Sequence, residues 1–179
     1  RAGHLAERGG GPAGGAEFAG GQPVKKLRIY VDTSVIGGCF DAEFAEWSNL
    51  LINDFRQGRY QAVLSDVTAS EVQPAPDFVR NLHAELLSLP TQVVRVDEDA
   101  VSLVQHYIAH SVLGQRFLND MLHIALATIA EVDVLVSWNF KHIVRLDKIR
   151  LFNAVNLEQG YKPLVIYSPR EVASHGSEN

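Results

Sequence analysis

The chain of 179 residues has a single cysteine, Cys39, which cannot close an internal disulfide. Nothing at its start has the charged, apolar and small-residue succession of a secretion signal, so a reducing cytoplasm is the expected setting. An excess of positive charge is also missing. With 16 Lys+Arg against 21 Asp+Glu the formal net charge is -5, which excludes binding of nucleic acid by bulk attraction and requires any such contact to be local. No apolar run approaches the roughly 20 residues needed to cross a bilayer, so no membrane association is expected. Gly37-Gly38 follows the first apolar run. There is nevertheless no G-x-G-x-x-G and no Walker A lysine motif, which leaves no place for a nucleotide cofactor. The histidines do not fall at zinc-ligand spacing, and no internal repeat is present.

What the chain does have is divided unevenly. Residues Arg1 to Gln22 hold 8 of its 14 glycines and have no apolar periodicity, so they have no reason to fold alone. The expectation is a vector-derived leader over 1–22, with a native start lost near Lys25, since the only methionine is Met121. The rest, 23–179, reads as one domain. Its hydrophobic content of 46% and charged content of 21% over the whole chain are globular proportions.

Within 23–179, short β-branched runs alternate with longer helical patterns. Strands are predicted at Leu27 to Val31, Ala62 to Leu64, Val93 to Val96, Val134 to Val136 and Leu164 to Tyr167. Apolar residues at three- and four-residue spacing predict helices over Glu43 to Gln57, Ser70 to Leu89, Glu98 to His110 and Phe117 to Ala130. Ser168-Pro169-Arg170-Glu171 combines an N-cap serine, a first-turn proline and a capping-box glutamate, which predicts a short last helix. The fold class is therefore α/β, with a mostly parallel central sheet of about five strands and helices on both faces. Such sheets carry their sites at the carboxyl ends of the strands.

Three acids stand out against that frame. Asp32 ends the first strand just before a helix begins at Thr33 or Ser34; the plain alternative is a helix N-cap. Glu71 lies in a helix after the second strand, with Asp66 or Thr68 available for capping, and the alternative is a solvated first-turn glutamate. Asp120 sits in FLNDMLHIALAT among apolar and small neighbours, where a carboxylate needs a cation or a partner, although a helix-start acid is the simpler reading. Ser137 and Asn139 add a hydroxyl and an amide after the fourth strand and could equally be turn formers. Three acids gathered from separate elements repel one another unless a divalent cation neutralises them, and hard oxygen donors select Mg2+ or Mn2+. A phosphodiester suits such a centre, which makes hydrolysis the expected reaction. His123, one turn after Asp120, reads as a satisfied helix-face residue. Lys141, His142, Arg145, Lys148 and Arg150 form a candidate phosphate-contacting edge, or a solvated charged loop interrupted by Asp147.

Taken together, IYVDTSVIGG, SDVTASEV, NDMLHIALAT and LVSWNFKHI resemble the PIN-domain family, and in particular the VapC-like toxins of toxin-antitoxin pairs, from about Leu27 to about Pro169. The resemblance implies a single PIN-like domain and ribonuclease activity on an RNA substrate. It makes Asp32, Glu71 and Asp120 the metal-binding acids and Ser137 a hydroxyl supporting Asp32. It also implies a homodimer and a small antitoxin partner. The sequence departs from the family at the fourth acidic position, where Asn139 stands in place of an aspartate, with His142 three residues later. An amide coordinates or orients water without adding charge, which argues for one strong metal site.

Two other readings compete. A phosphatase using an aspartyl nucleophile needs a second aspartate two residues after the first, where this chain has Ser34. A catalytically degenerate domain that only binds RNA or a protein is compatible with Asn139 and the negative net charge, and a metal-dependent cleavage assay separates it from an enzyme.

Overall fold

In the computed structural model, residues 25–174 are described, so the leader expected over 1–22 lies outside the described residues. The sheet has the order β3-β2-β1-β4-β5, and every neighbouring pair is parallel. Its strands are β1 (Leu27–Val31), β2 (Tyr60–Ser65), β3 (Gln92–Val94), β4 (Val134–Val136) and β5 (Ile166–Tyr167). The helices are α1 (Thr33–Gly38), α2 (Ala45–Arg56), α3 (Asp66–Val72), α4 (Asp77–Ser88), α5 (Glu98–Ala109), α6 (Leu118–Ile129), α7 (Leu146–Glu158) and α8 (Pro169–Val172), with a 3-10 turn at Gln115–Phe117. Among the described residues no helix is long and apolar enough to cross a membrane.

Strand residues alternate between the two faces, and parallel register keeps partners on the same one. Tyr30 is in register with Val63 and Leu135, and all three enter a core with Leu103, Tyr107, Ile124 and Phe152 of α5, α6 and α7. Ile29 and Val31, with Ala62 and Val136 as their partners, turn the other way and pack with Leu51, Ile52 and Leu86 of α2 and α4. Helices thus cover both faces, as the alternating pattern predicts.

Four local features differ from the sequence reading. The helix predicted over Ser70 to Leu89 is broken into α3 and α4 by the segment containing Pro74 and Pro76, since proline cannot donate to the helical ladder and disfavours helix in the residue before it. Ser65, rather than Asp66 or Thr68, caps α3, its hydroxyl accepting the Thr68 N–H; the Asp66 carboxylate is turned to the N–H of Val96. α7 has no counterpart among the predicted helices. Ser168 starts α8 as expected, but its hydroxyl donates to the Glu171 carboxylate instead of closing a capping box.

One glycine is dictated by packing beside the site. The Trp138 indole N–H donates to the Ser48 hydroxyl at 2.8 Å, directly over Gly38. A Cβ at Gly38 would stand 2.7 Å from that hydroxyl and 2.8 Å from the indole nitrogen, so no larger residue fits without displacing a buried hydrogen bond.

Candidate functional site

The carboxyl ends of β1, β2 and β4, together with the first turn of α6, bring the five sequence-selected residues to one edge of the sheet. Asp32 is buried, and its backbone N–H continues the ladder to the Val136 carbonyl at 3.0 Å. It occupies the N-cap position of α1, yet its side chain caps nothing. Instead, Oδ2 accepts from the Ser34 hydroxyl at 2.6 Å and the Ser137 hydroxyl at 2.7 Å. Each of those hydroxyls also accepts a backbone N–H, Ser34 from Trp138 and Ser137 from Asn139. A hydroxyl has one proton, so these acceptor bonds leave both protons aimed at Asp32. The helix-cap alternative for Asp32 is thereby set aside.

Glu71 is the penultimate residue of α3, at the negative end of the helix rather than in its first turn. A carboxylate there is disfavoured by the helix dipole, and what offsets this is His123. Its Nε2 lies 2.5 Å from Glu71 Oε1, to which the Thr33 hydroxyl also donates at 3.0 Å. Burial pushes the Glu71 carboxyl up, but the hydrogen bond and charge of His123, with the bond from Thr33, prevail and hold it below its ordinary value.

His123 is a site residue that the sequence reading placed on a helix face. It is fully satisfied, as that reading holds, but its partners belong to the site. Nδ1 stands 2.6 Å from the Tyr30 hydroxyl, which donates on to Ser65 Oγ at 2.8 Å, and Nε2 is 3.4 Å from Asp32 Oδ1. Burial disfavours the charged imidazole, yet the hydrogen bond to Glu71 and the charges of Asp32, Glu71 and Asp120 outweigh it and raise its pKa. When protonated, which this shift favours, His123 is an internal cation among the acids. The one signal available in sequence was its spacing: three residues after Asp120, it shares a helix face with that acid.

Asp120 is more open than Asp32. Its side chain is 23% exposed and its Oδ2 lies 3.0 Å from His142 Nδ1. Burial and the charge of Asp32 push its carboxyl above the ordinary value, with His142 and Asn139 pulling the other way. Asn139 Oδ1 accepts the His142 backbone N–H at 3.0 Å, so the residue at the fourth acidic position shapes the turn that carries His142. The ring of Phe117 packs on that imidazole at 4.0 Å between centroids. Lys141, His142, Arg145 and Lys148 border one groove beside Asp120, and Arg150 does not line it.

Asp32, Glu71 and Asp120, with the Asn139 amide, supply the hard oxygens that could hold a divalent cation. Asp32 commits Oδ2 and Glu71 commits Oε1 to the bonds above, which leaves Asp32 Oδ1 and Glu71 Oε2 outside those hydrogen bonds. Among the described residues no three acidic, histidine or cysteine side chains stand as a ready cation cage. The donor set fits Mg2+ or Mn2+ by its chemistry, while the side chains are arranged around His123.

No family model matches the chain, and no curated protein matches it in sequence. Solved structures do match in fold. The structure of FitAcB from Neisseria gonorrhoeae aligns with a TM-score of 0.51 at 14% identity, covering 79% of this chain and 98% of that one. VapBC2 from Rickettsia felis, bound to a DNA fragment from their promoter, aligns with a TM-score of 0.48 at 12% identity over the same shares.

Proposed function

We propose that this chain is a divalent-metal-dependent endoribonuclease that hydrolyses phosphodiester bonds in RNA. Asp32, Glu71 and Asp120 would hold the cation, while Ser137 and Asn139 act as supports. The observation that carries this reading is electrostatic. Burial first, and then the charge of Asp32 from the end of β1, raise the pKa of Asp120 at the start of α6, while Asp32 and Glu71 both stand against His123 Nε2, at 3.4 and 2.5 Å. Repulsion of the kind between Asp32 and Asp120 is what an added cation relieves. When bound, Mg2+ or Mn2+ would polarise the phosphoryl oxygen and lower the pKa of the attacking water. The chain's own residues do the positioning. Ser34 and Ser137 fix the Asp32 carboxylate from one side, and His123 fixes that of Glu71. His142 Nδ1 lies 3.0 Å from Asp120 Oδ2, and the imidazole is half-buried. In the reaction water adds to phosphorus and the ester P–O bond breaks.

The fold shared with FitAcB supports this at the level of architecture alone. From the family resemblance we take the further reading that the protein acts as the toxin of a toxin-antitoxin pair, as a homodimer with a small antitoxin partner. The test is cleavage of a labelled RNA with magnesium or manganese and with excess chelator. Cleavage confined to the metal-containing reaction is the expected result, and undiminished cleavage in chelator would sink the proposal. A second reading rests on Asn139 and on the internal cation His123: a degenerate module that binds RNA or a protein without cutting. Metal-independent binding with no cleavage under any divalent cation would favour it.

A further inference from the structure

Where Ser34 and Asn139 stand, the surface opens into a bowl of about 400 Å³, lined by Gly37, Asp41, Phe44 and Trp138 together with those two residues. Ser34 and Asn139 belong to both places. The Ser34 hydroxyl donates to Asp32 at 2.6 Å, and Asn139 pulls the Asp120 carboxyl down against its other neighbours. The bowl thus shares walls with the acids that would hold the cation. Among the described residues no lysine, arginine or histidine lines it, and its one charge is the Asp41 carboxylate.

Glycine in a helix costs backbone entropy, and Gly38 has a packing reason, the Trp138–Ser48 hydrogen bond above it. Gly37, one residue earlier in α1, has none: a Cβ there would meet no heavy atom within 4 Å. Gly37 lines the bowl, and a side chain at this position would take up open space rather than core. The Phe44 ring lies on Trp138 at 4.4 Å between centroids and 21° between planes, which gives the bowl a flat apolar wall. Asp41 is exposed, and its Oδ1 accepts the Glu43 N–H at 2.8 Å. That bond fixes the carboxylate and leaves its other acceptor positions open.

A flat apolar wall with one anionic acceptor and no cation repels a phosphate and suits a planar group that carries donors on its edge. Guanine alone among the RNA bases sets two donors side by side, the N1–H and the N2 amine, which a carboxylate accepts as a fork. Adenine and cytosine set a donor beside an acceptor, and uracil flanks its one donor with carbonyls, so each of them turns a lone pair on the carboxylate. Building on the ribonuclease reading, we propose that this bowl is a base pocket selecting an unpaired guanine of the RNA. The base lies against Phe44 and Trp138 over Gly37, with its Watson–Crick edge on Asp41. A paired guanine has that edge occupied and is excluded. An arginine side chain would answer to the same carboxylate, but the walls shared with the cation-holding acids favour the substrate over a peptide.

The test is fluorescence anisotropy in chelator with short oligouridine strands that differ at one central base, which is guanine, inosine or adenine. Wild type should bind the guanine strand about tenfold tighter than the adenine strand, as a fork of hydrogen bonds to a base allows. Inosine keeps the N1–H and lacks the N2 amine, so its strand should fall between them. Asp41→Asn keeps an acceptor for the Glu43 N–H and should bring the three strands to one affinity. Gly37→Leu should fill the bowl and abolish the preference, with a melting temperature no lower than that of wild type, because its Cβ has room and leucine is the better helix former. Equal wild-type affinity for the three strands would overturn the proposal, as would a guanine preference that survives Gly37→Leu. Wild type without base preference that binds N-acetyl-arginine amide, and loses it in Gly37→Leu, would reassign the bowl to a basic peptide. Cleavage mapped with manganese keeps the two readings apart. Guanine preference in chelator without cleavage under any divalent cation removes the nuclease and leaves the pocket, while cleavage with equal binding of all three strands removes the pocket and leaves the nuclease.

Discussion

The two halves of the acidic site are built on different principles. Around Asp32 and Glu71 the carboxylates are buried or half-buried, each held by two hydrogen bonds, and the His123 imidazole supplies positive charge between them. Around Asp120 the side chain is exposed to much the same degree as that of Glu71, 23% against 30%, but its partner His142 is itself partly exposed and its carboxyl is pushed up rather than down. In the first half the fold's own partners outweigh burial at Glu71; in the second, burial and the charge of Asp32 outweigh His142 and Asn139 at Asp120. An incoming cation would therefore relieve Asp120 most, while the Asp32 half acts as its rigid seat.

The comparison breaks most sharply at Asp120. Asp120→Asn keeps the shape and one oxygen but removes the carboxylate charge. Cleavage should fall by more than about 100-fold, beyond what residues that merely support a ligand contribute. The metal-free protein should melt at the same or a higher temperature, since repulsion with Asp32 is relieved. Retained cleavage in a destabilised protein would make Asp120 a helix-start residue instead.

His123→Ala should have the opposite signature. Removing a buried charged partner from Glu71 and Asp32 should destabilise the metal-free protein by about 3 kcal/mol, the range for breaking a buried pair. Denaturant unfolding in chelator measures it, and a variant as stable as wild type would show that the acids do not need their internal cation.

The same pairing sets the pH dependence of the metal-free fold. His123 has a folded pKa above its ordinary 6.5, so its contribution is complete below 6.5 and is lost as pH rises through the higher folded value. Glu71 has a folded pKa below its ordinary 4.5, so its contribution is complete above 4.5 and is lost as pH falls through the lower value. Asp120 has a folded pKa above its ordinary 3.8, so its contribution is complete below 3.8 and is lost as pH rises through the higher folded value. Stability in chelator should thus be greatest between about 4.5 and 6.5 and fall above that window, and the alkaline fall should shrink in His123→Ala. Melting temperature across that range, with and without magnesium, reads both effects.

The smallest change is Tyr30→Phe, which removes the hydroxyl between His123 Nδ1 and Ser65. A cost of about 1 kcal/mol is expected from one buried hydrogen bond, with cleavage reduced far less than in Asp120→Asn. A loss of cleavage as deep as that of Asp120→Asn would move Tyr30 from support into the site.

The places of the candidate residues in the fold were legible in sequence where the evidence was local. Asp32 was legible because an acid ending a strand of a parallel sheet has a known place, and Asp120 because a charge among apolar helix residues asks for a partner. His123 was not, since an imidazole three residues after an aspartate looks the same whether it caps a packed face or enters a cluster.

By itself the sequence determined the alternation of strands and helices, the strand of Asp32, the helix of Asp120 and the segment that carries Ser137 and Asn139. Backbone preference and apolar periodicity act within windows of a few residues, so they can be read there. Only the tertiary structure decided that Glu71 meets His123 across 52 residues, and it realises the support of Asp32 by Ser137 across 105 that the resemblance implied. Parallel strand order brings these side chains to one edge, and burial there excludes the water that would otherwise satisfy them. The charge of His123 follows from that neighbourhood, because a pKa is set by what surrounds a group in space and not by what precedes it in the chain.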